Sequence, residues 1–167
     1  MYGQIEINNA AFRRDGRIEA QCDIGEGFAN NTVENGMVVS VDKANGVIVP
    51  HSDSVGIAGI VYSAEHQYDA REGGLGNFAI KKGEAYEGYN AYVPAQNVYP
   101  RVGLLAVGDI FTISKKFVEG AKGATVTPNG TKWDETQISN TVAAIVLDDA
   151  ATMPDGTPGV KIQITMA

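Results

Sequence analysis

Short runs of alternating apolar and polar residues, each closed by Gly, Pro, Asn or Asp, recur along this chain and leave room for little but β-strand. The clearest is the last. Val160, Ile162, Ile164 and Met166 alternate with Lys161, Gln163 and Thr165. A period of two places successive side chains on opposite faces, which is the pattern of a strand with one face buried. The stretch before it, "MPDGT" (Met153 to Thr157), is a turn with a mechanism. Proline presets φ, aspartate bonds its own backbone, and Gly156 accepts positive φ. The same recipe recurs as "TPNGT", Thr127 to Thr131.

Upstream, "ENGMVVSVDKANGVIVP" (34–50) reads as a hairpin. Met37, Val39 and Val41 alternate with Val38, Ser40 and Asp42, and Asn45-Gly46 is a tight-turn pair. The runs "VGIAGIVYS" (55–63), "LLAVGDIFTIS" (104–114) and "TVAAIVLDD" (141–149) are rich in β-branched residues and bounded by turn formers. The last could be helical on its two alanines, but Asp148-Asp149 at its end would oppose a helix dipole, which favours strand. A faint echo links "VENGMVVSV" (33–41) and "AVGDIFTIS" (106–114). It reflects either two copies of one unit or the usual way barrel strands begin after turns. No convincing helix exceeds two turns. The expected class is all-β, a small barrel or sandwich.

Two stretches break the pattern. Residues 1–32 scatter Ile5, Ile7, Phe12, Ile18, Ile24 and Phe28 among polar residues, too sparsely to build a core of their own. They are expected to form an extended N-terminal arm, with "GQIEIN" as an edge strand that adds to a partner's sheet, while residues 33–167 fold as a single β domain. Residues 64–100 form a long insertion rich in Gly and Tyr, with Tyr86, Tyr89, Tyr92 and Tyr99 close together. Long loops in compact domains usually carry function or contacts. Tyrosine suits a protein contact, so Ile5, Ile7, Phe12, Tyr86, Tyr89, Tyr92 and Tyr99 are the candidate contact residues.

At 167 residues the chain is long enough for one sizeable core and short for two ordinary domains. A net charge of −7, with scattered basic residues and Arg13-Arg14 as the best local cluster, argues against a nucleic-acid surface. Cys22 is alone, so no internal disulfide or cysteine zinc site is possible. The N-terminus has no signal-peptide pattern and no run is apolar enough to span a bilayer, so synthesis in a reducing cytoplasm is expected.

Little in the sequence promises chemistry. His51 and His66 are separated by a strand and lack further zinc ligands at short spacing. Ser52, Asp53 and Ser54 beside His51 are neighbours in sequence, which is not how a catalytic triad is assembled, and no G-x-S-x-G occurs. "GEGFANN" (25–31) lacks the lysine of a phosphate loop. Asp148, Asp149 and Asp155 could hold calcium, but their spacing fits no known loop and solvated carboxylates are the better reading. No catalytic residue, metal or cofactor is expected.

The segments 33–63 and 102–165, with their "VENGMVVSVDKANGVIVP", "GIAGIVYS", "LLAVGDIFTIS" and "AAIVLDDAATMPDGTPGVKIQI", resemble small structural proteins of tailed bacteriophages that decorate the head. The resemblance lies in turn-and-strand grammar, and the tyrosine-rich insertion lies outside it. It implies a virion protein without chemistry, made in the bacterial cytoplasm, that binds the major capsid protein on the capsid exterior and cements it, commonly as a trimer. An acidic surface suits a protein that faces away from packaged DNA. The alternatives are a carbohydrate- or host-binding β module using Tyr86, Tyr89, Tyr92 and Trp133, or another phage structural protein such as a tail-tube or head-completion protein.

Overall fold

The computed structural model describes residues 2–15, 19–63, 79–82, 86–87, 99–135 and 139–167. Within them the chain is all-β, with no helix of seven residues or more. The first half supplies β1 (Ile5–Asn9), β2 (Glu19–Gln21), β3 (Asp23–Ile24), β4 (Thr32–Glu34), β5 (Val38–Asp42), β6 (Val47–Pro50), β7 (Ile57–Val61), β8 (Ala79–Lys81) and β9 (Tyr86–Glu87). Then follow β10 (Arg101–Leu104), β11 (Ile110–Ser114), β12 (Val118–Glu119), β13 (Thr125–Asn129), β14 (Lys132–Asp134), β15 (Ala143–Thr152) and β16 (Pro158–Met166).

These strands make three sheets. The largest runs β1-β11-β16-β15-β13-β14-β12, the second β2-β10-β7-β5-β6-β3, and a small one β4-β8-β9. In the second sheet the two edge strands, β2 and β3, are consecutive in the chain and separated only by Cys22. The sheet therefore curls until its ends nearly meet, and Cys22 lies at the seam of an almost closed barrel.

Both faces of this barrel sheet are covered, which is why its strands read as nearly continuous apolar runs. Val39, Val41, Ile48, Val61 and Val102 point inward, where Ile24, Phe28, Val33 and Ile80 complete a core. Val38 and Ile60, on the opposite face, join Phe111, Ile113, Trp133, Val146, Val160, Ile162 and Ile164 in a second core against the largest sheet. The β5–β6 hairpin closes as its sequence dictates. Asp42 Oδ1 accepts the Ala44 and Asn45 N–H groups at 3.0 and 3.1 Å, and Gly46 takes φ +69°. At "MPDGT", Met153 and Thr157 close the turn through a 2.8 Å bond and Gly156 has φ +84°.

The echo between 33–41 and 106–114 is a geometric repeat. Met37 N–H donates to Glu34 O, and Asp109 N–H to Ala106 O, with Gly36 at φ +90° and Gly108 at φ +94°. Each glycine N–H then donates to a carbonyl on the neighbouring strand, Val61 O at 2.9 Å and Ile164 O at 2.8 Å. Each of those residues returns a bond to the carbonyl after the glycine, Met37 O and Asp109 O. Both turns have the type II form that demands glycine. The third residue of each following strand, Ser40 in β5 and Thr112 in β11, is a buried hydroxyl.

The expectation of a separate arm over 1–32 is corrected by the structure. β1 pairs with β11 of its own chain (Ile5↔Ile113, Ile7↔Phe111), β2 with β10, and β3 with β6. Phe12, 1% exposed, stacks on Phe111 at 5.9 Å and leans on Tyr62 at 4.6 Å between ring centroids. Ile24 and Phe28 are equally interior. A strand needs only every second residue to be apolar when partner strands supply the rest of the core, so sparse apolar positions suffice. Ala10 and Phe12 thus belong to one core and Ile24 and Phe28 to the other.

Candidate functional site

The expected contact residues do not form one surface. Ile5 and Ile7 lie on an edge strand, half-buried against the core beside β11. Phe12 is wholly interior and is not available to a partner, a correction to its reading as a contact residue. Tyr86 opens β9 opposite Ile80, and Tyr99 is 45% exposed just before β10. Tyr89 and Tyr92 lie outside the described residues, as does His66.

Among the described residues the densest polar arrangement centres on His51 and Asp53, and strand pairing assembles it. β6 ends at Pro50, and the next residue, His51, bridges to the β13–β14 turn through its N–H to Gly130 O at 2.9 Å. The imidazole then sits between two side chains. Ser40 Oγ of β5 is 3.2 Å from Nδ1, and Asp53 Oδ1 is 3.1 Å from Nε2. From the segment that leads into β15, Ser139 Oγ (2.5 Å), Thr141 Oγ1 (2.8 Å) and the Asn140 N–H (2.9 Å) all donate to the Asp53 carboxylate. These bonds, Ser139 first, then Asn140 and Thr141, with His51 weaker, hold the Asp53 carboxyl well below the usual range against the opposing effect of burial. A cavity of about 260 Å³ lies here, lined by His51, Ser52, Asp53, Pro128, Asn129, Gly130 and Ser139.

Hydroxyl, imidazole and carboxylate in sequence are the parts of a nucleophilic triad, so the geometry decides what they can do. Ser40 is 0% exposed and is not in the cavity wall. Its Oγ accepts the Ser52 N–H at 3.1 Å and also lies 3.2 Å from Ser52 O. A hydroxyl held that way cannot reach a substrate. The imidazole side chain is itself only 4% exposed. The string instead ties the barrel sheet to the 139–142 segment that leads into β15. Reading the neighbours Ser52 and Ser54 missed this array because its hydroxyl comes from mid-strand. The available signal was Ser40 itself, a lone polar residue in "MVVSV", since a buried hydroxyl needs a partner.

The other chemical candidates are locally engaged. Asp155 Oδ1 accepts the Thr157 N–H (3.0 Å) and Oγ1 (2.6 Å), while Oδ2 accepts Gln4 Nε2 at 2.7 Å. Asp149 accepts the Lys122 N–H and Asp148 the Ala150 N–H. Among the described residues no three His, Cys, Asp or Glu side chains converge as a metal site. Burial pushes the Cys22 thiol up, only partly opposed by Lys43. Glu34 bonds both Lys116 and the Gly3 N–H. A second, mostly apolar cavity of about 320 Å³ is lined by Tyr2, Ser114, Lys115, Lys116, Thr157 and Pro158. Trp133, named above as a sugar platform, is 0% exposed in the core and cannot stack on a ligand. Among the described residues no helix is long and apolar enough to cross a membrane.

No protein-family model, curated protein or solved structure matches this chain.

Proposed function

We propose that the protein is a structural component of a tailed-phage virion, a decoration protein that binds the major capsid protein on the outer surface of the head and stabilises it. One observation carries this reading. Among the described residues the array with the makings of catalysis, Ser40–His51–Asp53, is engaged in tying the barrel sheet to the 139–142 segment, so this polar chemistry serves rigidity. The turn-and-strand resemblance supplies the virion context, and a net charge of −7 suits a surface turned away from DNA. A homo-oligomer, such as a trimer at local three-fold positions, fits the same role.

The test is binding of the purified chain to expanded heads that lack it, read by co-sedimentation and reconstruction. Many copies on the outer capsid surface are expected. A dozen or fewer copies at one vertex would make it a head-completion protein, copies along a tail would make it a tube protein, and no binding would sink the virion reading. The carbohydrate alternative loses Trp133 but retains the tyrosine segment, and a glycan array decides it.

A further inference from the structure

β1 ends the largest sheet, so β11 pairs with one of its edges and the other edge is open. The ladder shows which groups lie on the open edge. The Ser114 N–H donates to Gln4 O at 3.1 Å, and the Gln4 N–H to Ser114 Oγ at 2.8 Å. With Ile5↔Ile113 and Ile7↔Phe111 in register, Gln4 and Glu6 turn their backbone groups toward β11, and Ile5 and Ile7 turn theirs away from it. The neighbouring ladder agrees. The Ile164 N–H donates to Asp109 O, which puts Asp109, Phe111 and Ile113 on the β16 side of β11 and leaves Thr112 and Ser114 for β1. Among the described residues nothing bonds the N–H and C=O groups of Ile5 and Ile7. They are two donors and two acceptors in a row, a template for one more strand. The template is held in place. The Gly3 N–H bonds Glu34, Gln4 Nε2 bonds Asp155, and both isoleucine side chains pack half-buried on the core. An edge fixed before binding loses little entropy on binding.

Glu6 selects the occupant. It is exposed and lies between the two isoleucines on the opposite face of the strand. Across the sheet its row continues to Thr112, then Lys161, then Asp148. Lys161 thus has a carboxylate opposite it, whereas Glu6, at the open end, has no cation beside it among the described residues. A strand added antiparallel would bond Ile5 and Ile7 and set one residue directly opposite Glu6, at a position where side chains come closest. Opposite charges in such a pair stabilise and like charges destabilise. This disfavours a second copy of the folded chain. The antiparallel register that pairs Ile5 with Ile7 in both directions sets Glu6 against its own counterpart, and copies at −7 repel as wholes. A basic residue opposite Glu6 reverses both effects. Apolar residues on either side of it would cover the exposed parts of Ile5 and Ile7.

We infer that the Ile5–Ile7 edge of β1 receives an extended segment of another protein, with a basic residue opposite Glu6 and an apolar residue on each side of it. The inference is independent of the virion reading and stands or falls apart from binding to heads.

Magnetic resonance on the isotope-labelled full chain tests it, with the peptides acetyl-TVKVT-amide and acetyl-TVEVT-amide as probes. Before peptide is added, amide exchange is expected to be fast at Ile5 and Ile7 and slow at Glu6. Slow exchange at both isoleucines would show that another segment or a second copy already covers the edge, and would overturn the inference. The lysine peptide is expected to shift the Ile5 and Ile7 amides saturably and to bind about fivefold tighter than the glutamate peptide at low salt. Glu6→Gln is expected to bind the two peptides equally and Glu6→Lys to reverse their order, both with unchanged β-sheet circular dichroism because the side chain is exposed. No saturable shift with either peptide overturns the inference. So do shifts that map away from β1, and so does a preference for lysine that survives in Glu6→Gln.

Discussion

Gly103 of β10 lies flat against the ring of Phe12. A Cβ on Gly103 would come closer than 3.0 Å to Cδ1, Cε1 and Cγ of that ring. The ring has no room to retreat, since Tyr62 and Phe111 hold it from other sides. Gly103→Ala therefore overpacks the core and should cost about 1–3 kcal/mol. Urea unfolding would show this as a lower midpoint with the slope unchanged. A midpoint equal to that of the wild type would mean that the ring is not held there.

Removing residues 1–28 should abolish the cooperative fold. The deletion takes away β1, β2 and β3, together with Phe12, Ile24 and Phe28, from both cores. Phe12→Ala alone should cost about 3–5 kcal/mol, a large share of the roughly 5–15 kcal/mol that holds a typical domain. A truncated chain that still melts in a sharp transition near the wild-type temperature would restore the idea of a separable arm.

The Asp53 clamp makes stability depend on acid in a defined direction. Its carboxyl is held well below the usual range by Ser139, Asn140 and Thr141, so on acidification the unfolded chain takes up the proton first, near its ordinary pKa of about 4. Stability from this group is thus complete above about pH 4 and declines as pH falls toward the folded value. Asp53→Asn should lower the melting temperature at neutral pH, and the gap between variant and wild type should narrow below about pH 4. A gap that is constant down to strongly acid pH would show that the charge contributes nothing.

Trp133 is the single tryptophan, and it is 0% exposed. Its emission should be blue-shifted and indifferent to iodide until the protein unfolds, and soluble saccharides should leave it unchanged. Quenching in the native state would place the ring at the surface and reopen the sugar-platform reading.

Much of this architecture is legible in the sequence because turns announce themselves. Gly36, Gly46, Gly108, Gly130 and Gly156 all take positive φ at the turns where the chain places them, and the alternating runs beside them are strands. What local reading could not reach is pairing at a distance. Ile5, Ile7 and Phe12 look isolated because their partners, Ile113, Phe111 and Gly103, lie about a hundred residues on. Ser40 meets His51 only after the β5–β6 hairpin folds back, and Asp53 meets Ser139 only when the segment before β15 packs beside it.

The pairing of β1 with β11 also has a meaning in time. On the ribosome, Gln4 emerges long before Ser114, whose Oγ bonds its N–H across a separation of 110 residues, and before Asp155, whose carboxylate bonds its side chain across 151. Loop closure of that length is slow, and strand pairs so far apart delay folding. Throughout synthesis the "IEI" segment therefore waits with an unpaired backbone, open to the same segment on a neighbouring nascent chain, and it is then that this protein is most exposed to misassembly.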